Sequence, residues 1–191
     1  MKSRPKIKVE SGFIALVCAL LYFADGRLVF VYILSAIIHE LGHILASALL
    51  KHSVTDITLS LFGAQISICG QTSYWEDFIL SLSGPSSNGL AVALCVILHR
   101  FPLFAAVNLL LGLFNLLPIL PLDGGNAMKA CFSLFAHPVL VEQICRVVSV
   151  AVALALTIFG GVIVFGWQGS GYLLLFGLWL SYISLKEVFG N

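Results

Sequence analysis

The sequence predicts an all-α polytopic membrane protein with about six transmembrane helices, and three observations predict it. Of 191 residues, 60% are hydrophobic and only 10% charged, whereas soluble domains carry roughly 25% charged residues. The apolar residues gather into runs long enough to cross a bilayer core of ~30 Å, which takes roughly 20 helical residues. The basic residues then sort to one side of those runs, as the positive-inside rule requires. A net charge of +1 gives no electrostatic ground for a nucleic-acid partner.

In chain order, residues 11–24 form a short first span behind Lys2, Arg4, Lys6 and Lys8. No small-residue cleavage site followed by a polar domain appears, so a retained helix is expected rather than a signal peptide. Residues 28–50 form the second span, interrupted only by His39, Glu40 and His43. Residues 78–98 and 101–122 are uncharged and supply the third and fourth, the latter ending at Pro118 and Pro121. Residues 147–185 are uncharged but broken at Trp167-Gln168-Gly169-Ser170-Gly171. That break is a turn signal beside an interfacial Trp, so two helices are read there. With the N-terminus in the cytoplasm, eight basic residues face inward, and only Arg27 and Arg100 face outward. Both termini are therefore expected in the cytoplasm.

Residues 55–69, TDITLSLFGAQISIC, are not a span. They are rich in β-branched residues, alternate polar with apolar, and carry Gly63 near the middle. The pattern predicts a small β-hairpin or membrane-entering loop, with a plain amphipathic connector as the alternative. The five cysteines have neither zinc-finger nor disulfide spacing and read as small buried hydrophobes.

Chemistry concentrates in His39-Glu40-Leu41-Gly42-His43, an H-E-x-x-H pattern. On a helix, residues i and i+4 share a face about 6 Å apart, so both imidazoles can bind one metal. Zinc suits imidazole and leaves one tetrahedral position open. Glu40 is turned about 100° around the helix from His39, which fits a general base better than a third ligand. Charged residues at membrane depth cost about 2.5–3.5 kcal/mol each on insertion scales and are functional by default. Interhelical polar glue could account for one histidine, but not for His, Glu and His at metal spacing.

Asp123 follows Asn115-Leu116-Leu117-Pro118-Ile119-Leu120-Pro121-Leu122 and precedes Gly124-Gly125. It is a candidate third ligand; the competing use is to cap a following helix. Topology favours the ligand, because the second and fourth spans both run inward and bring His43 and Asp123 toward the cytoplasmic half. In Gly84-Pro85-Ser86-Ser87-Asn88, Pro85 frees carbonyls and Asn88 supplies an amide at membrane depth. That amide suits either substrate or oxyanion binding or interhelical hydrogen bonding at a kink.

These three motifs, in this order, resemble the site-2 protease family of intramembrane zinc metalloproteases, over roughly residues 28–130. Chain length and span number are most similar to its sporulation-type branch, although no PDZ-like insert separates the motifs. The resemblance implies a single membrane peptidase domain over residues 1–191. Its three-helix catalytic core would lie at about 28–130, the membrane-entering β-hairpin at about 55–69 and a C-terminal helix pair at about 147–185. It implies one Zn2+ per chain on His39, His43 and Asp123, Glu40 as catalytic base, and Asn88 and Asn115 lining the active site. It implies a transmembrane protein as substrate, the lipid bilayer of a bacterial cell as surroundings, and a membrane-protein inhibitor or regulator as partner. A metal transporter and a non-catalytic scaffold are the rival classes; ligands converging at one depth disfavour the first, and an intact base disfavours the second.

Overall fold

The computed structural model describes residues 6–9, 22, 25–60, 63–69, 72–167 and 171–189. The chain is mostly helical. Its helices are α1 (Gly26–Leu49), α2 (Tyr74–Ile97), α3 (Pro102–Asn115), α4 (Asp123–Ser133), α5 (Pro138–Trp167) and α6 (Tyr172–Phe189). Three short strands, β1 (Lys6–Val9), β2 (Ser53–Ser60) and β3 (Gly63–Cys69), form one sheet in the order β1-β2-β3. β1 runs parallel to β2, and β3 runs antiparallel to it. The first expected span, 11–24, lies outside the described residues apart from residue 22.

Among the described residues, three helices are long and apolar enough to cross a bilayer: Gly26–Leu49, Tyr74–Ile97 and Pro138–Gly166. Burial runs opposite to that of a water-soluble protein. Phe30 is 68% exposed, Leu90 72% and Leu110 68%, while Ser35, Asn88 and Asn108 are 0% exposed. In water, contiguous apolar surface on this scale would drive association; against lipid tails it costs nothing. The chain is an integral membrane protein.

The chain divides into two compact units, Met1–Asn115 and Leu116–Asn191. In the first, α1, α2 and α3 pack on one another. α2 starts with a capping box in which the Ser73 hydroxyl accepts from the Glu76 N–H and the Glu76 carboxylate accepts from the Ser73 N–H. Serine followed three residues later by glutamate is the sequence mark of this device. Small residues set how closely the three helices approach. A Cβ on Gly42 of α1 would lie 2.5 Å from the Ser83 carbonyl oxygen of α2, and one on Gly112 of α3 would lie 3.3 Å from the Asn88 Cβ.

The fourth expected span is helical only from Pro102 to Asn115. Leu116–Leu122 leaves the helix because Pro118 and Pro121 lack the N–H groups the ladder needs and their rings clash with the preceding turn. In the second unit the Ser149 hydroxyl accepts from the Leu120 N–H and donates to the Cys145 carbonyl, holding this irregular segment against α5. Ile119 and Leu122 are buried there. α5 also begins earlier than its uncharged stretch, at Pro138. The charges in its first turns are matched: Glu142 accepts from Arg146 one turn on, at 2.8 Å, and from Lys129 of α4 at 3.4 Å. α5 and α6 then pack through small residues. Cβ atoms on Gly160 and Gly177 would meet the backbones of Leu174 and Thr157 at 2.6 and 2.7 Å.

Candidate metal centre

His39 and His43 sit one turn apart on α1, at the i, i+4 spacing that puts two side chains on one face. Their rings meet edge to face, with centroids 4.9 Å apart and planes at 76°. The two Nε2 atoms are 3.2 Å apart. Each ring is held from behind through Nδ1. His39 Nδ1 lies 2.6 Å from the Asn88 side-chain oxygen, and His43 Nδ1 lies 2.8 Å from the Leu80 carbonyl. The Asn88 oxygen and the Leu80 carbonyl can only accept, and the Ser83 hydroxyl, 3.1 Å from His43 Nδ1, gives its hydrogen to the same Leu80 carbonyl, so each Nδ1 donates and each ring turns Nε2 toward the other.

Two nitrogens each ~2.0–2.1 Å from a tetrahedral zinc lie ~3.3–3.4 Å apart, close to the 3.2 Å between these two. Outer acceptors that fix tautomer and ring orientation are the usual companions of metal-binding histidines. Gly84 keeps the same space open. A Cβ there would overlap His43 Nε2 and come within 2.7 Å of His39 Nε2. The residues present fit a zinc ion.

The other motif residues have defined places. Glu40 follows His39 on α1 and is half-buried. Asn88 is fully buried; its oxygen faces His39, and its amide donates to Asn108 Oδ1 at 2.8 Å and to the Ser35 carbonyl at 3.2 Å. Its polar atoms are therefore engaged between helices. Asn115 is buried at the last residue of α3 and donates to the Leu111 carbonyl at 3.0 Å. In the second unit, Asp123 is the first residue of α4, one place inside the N-cap Leu122, where the helix dipole favours a carboxylate. Gly124 and Gly125 serve close approach there: a Cβ on the first would overlap the Leu116 carbonyl, and one on the second would lie 2.6 Å from the Ile119 oxygen. These glycines let the Leu116–Leu122 segment fold back over the helix start that carries Asp123.

Known proteins share these features. Residues 91–158 match the model of Peptidase family M50. The Synechocystis protein sll0528, provisionally named a zinc metalloprotease, is 36% identical over 129 residues, covering 61% of this chain and 31% of that protein. Stage IV sporulation protein FB of Bacillus subtilis is 32% identical over 111 residues, covering 53% and 38% respectively. The chain thus spans about a third of the length of these relatives. The solved Site-2 Protease from Methanocaldococcus jannaschii superposes with a TM-score of 0.68 at 21% identity, over 95% of this chain and 89% of that one. The match to Peptidase family M50 is confined to residues 91–158, and the solved site-2 protease is what this chain resembles in fold.

Within the site, three contributors lie outside the sequence motifs. Asn108 precedes Asn115 by seven residues, two helical turns, and so shares its face; an amide recurring at that interval in an apolar run is a readable signal. Ser35 stands in the same relation to His39, one turn earlier. The Leu80 carbonyl that holds His43 is backbone, and no residue type announces it. The steric part played by Gly84 was equally silent, because which atoms crowd a glycine depends on the helix packed against it.

Proposed function

We propose that this chain is an intramembrane zinc metalloendopeptidase that hydrolyses peptide bonds within or next to transmembrane segments of membrane proteins, releasing a regulatory protein. One observation carries the proposal: two imidazoles with committed Nδ1 hydrogens converge through Nε2 at 3.2 Å beside a half-buried glutamate. The likeness to proteins named as zinc metalloproteases supports it.

His39 and His43 would hold one Zn2+ per chain, with Asp123 completing a donor set of two imidazoles and a carboxylate. When bound, the ion supplies Lewis acidity that polarises a peptide carbonyl and acidifies water. Glu40 takes the proton from the attacking water and returns it to the leaving amine. Asn88 and the Leu80 carbonyl keep the two ligands in the metal-binding tautomer, and Asn115 lines the site. The substrate must unwind, since a transmembrane helix hides its carbonyls in its own ladder. Pairing with an edge of the β-sheet would compensate for the lost bonds, so the β2–β3 pair is the proposed membrane-entering substrate platform. Substrates with helix-breaking residues near the cut are then cleaved faster.

The fitting location is a bacterial cell membrane, with both termini and the site on the cytoplasmic side; a membrane-protein regulator is the fitting partner. The test is reconstitution with a single-span substrate. Glu40→Gln should keep stoichiometric zinc and lose 10²–10⁴-fold in cleavage rate, the share a general base supplies, and a chelator should stop the native enzyme. Cleavage by Glu40→Gln at the native rate would overturn the proposal.

A further inference from the structure

The metal-binding tautomer of His39 depends on which way one buried amide faces. With its oxygen toward His39, Asn88 accepts the Nδ1 hydrogen and leaves the Nε2 lone pair for a metal. Turned by 180°, it would offer an N–H, push the ring hydrogen to Nε2 and remove the ligand. The two ends of an asparagine have the same shape, so packing cannot choose between them. Only the hydrogen-bond partners can.

Those partners form a chain with one allowed direction. The Ser35 hydroxyl donates its one hydrogen to the Val31 carbonyl at 2.9 Å. It must therefore accept from Asn108, whose amide nitrogen reaches it at 2.8 Å and the Phe104 carbonyl at 2.9 Å. With both of its hydrogens committed, Asn108 turns its oxygen to the Asn88 amide at 2.8 Å, and the Ser35 carbonyl takes the second Asn88 hydrogen at 3.2 Å. Backbone carbonyls, which can only accept, fix the far ends of the chain. Reversing Asn88 alone would set its oxygen against Asn108 Oδ1 and the Ser35 carbonyl; reversing Asn108 as well would set a second oxygen against the Phe104 carbonyl. In a fully buried network away from water such acceptor pairs go uncompensated. His43 needs no such relay, because a carbonyl holds it directly.

We infer that Asn108, through Asn88, is a positioning residue for the zinc ligand His39, setting ring tautomer and metal affinity without touching the metal or the substrate. The inference rests on the zinc-site proposal above, and two measurements keep the two separate.

The first is zinc affinity of the full-length chain in detergent, by chelator competition, together with the visible absorption of the Co2+-substituted protein. If the native chain binds no zinc, the metal-site proposal fails, and this inference with it. If it does bind, Asn108→Ala should lose 10–100-fold in affinity, the usual cost of removing an outer partner, and its cobalt spectrum should change. Affinity within twofold of native, with an unchanged spectrum, would overturn the inference alone. A structural role is distinguished by Asn88→Asp. A carboxylate has no wrong way round, so Asn88→Asp combined with Asn108→Ala should bind zinc at least tenfold more tightly than Asn108→Ala alone; a double variant no better than the single would refute the relay. The second measurement needs no variant. Nitrogen-15 resonances of His39 in the zinc-free native protein should report hydrogen on Nδ1, and hydrogen on Nε2 would overturn the inference even if every variant failed to fold.

Discussion

The α1–α3 unit and the α5–α6 pair solve the same packing problem and end up with different capabilities. Both bring helices close through glycine, and both bury hydroxyl or amide groups between them. In α5–α6 the buried polar contact is short and closed: the Thr157 hydroxyl donates to the Ala153 carbonyl one turn back and meets the Ser181 hydroxyl at 3.0 Å. These two hydroxyls find their partners locally, as in ordinary interhelical glue. In α1–α3 the network is open at one end. Ser35, Asn108 and Asn88 pass hydrogen-bond direction along to His39, whose Nε2 in turn faces His43 Nε2 at 3.2 Å. The same chemical groups make glue when the chain of bonds closes, and orient an imidazole when it ends on one.

The glycines sharpen the contrast. A methyl group at Gly84 would strike the ends of two imidazoles, which can be pushed apart; one at Gly177 would strike the Thr157 backbone, which cannot. The largest expected effect is therefore Gly84→Ala: zinc affinity falls more than about 100-fold, beyond the usual loss for an outer-shell change, and cleavage falls to background while the thermal midpoint of the metal-free protein barely moves. Inductively coupled plasma analysis beside a melting curve checks this, and full zinc occupancy would break the comparison. Gly177→Ala should do the reverse, costing about 1–3 kcal/mol of stability as an overpacking change does with zinc per folded molecule unchanged. The smallest effect belongs to Thr157→Val, about 0.6 kcal/mol, typical of one hydrogen bond between membrane helices, with cleavage unaffected. A Thr157→Val variant that lost zinc would show that the two regions are not separable.

Much of the site was legible along the chain. His39 and His43 could be paired because helical periodicity is local, and membrane depth made their polarity costly enough to demand a use. The breaking effect of Pro118 and Pro121 was visible too, although the irregular stretch begins at Leu116, right after Asn115, sooner than an apolar run through residue 122 suggested. The capping box at Ser73 and Glu76 is readable from its three-residue spacing.

What the sequence by itself determined is the membrane class, the order of the motifs and the placing of two imidazoles on one helix face, because each depends on residues within a turn or two of one another, or on composition summed over a span. What only the tertiary structure decided is direction: which end of Asn88 faces His39, which carbonyl holds His43, and which atoms Gly84 must avoid. Those depend on contacts between residues 20 to 73 positions apart, and a hydrogen bond's polarity is fixed only when every group at its ends has been placed.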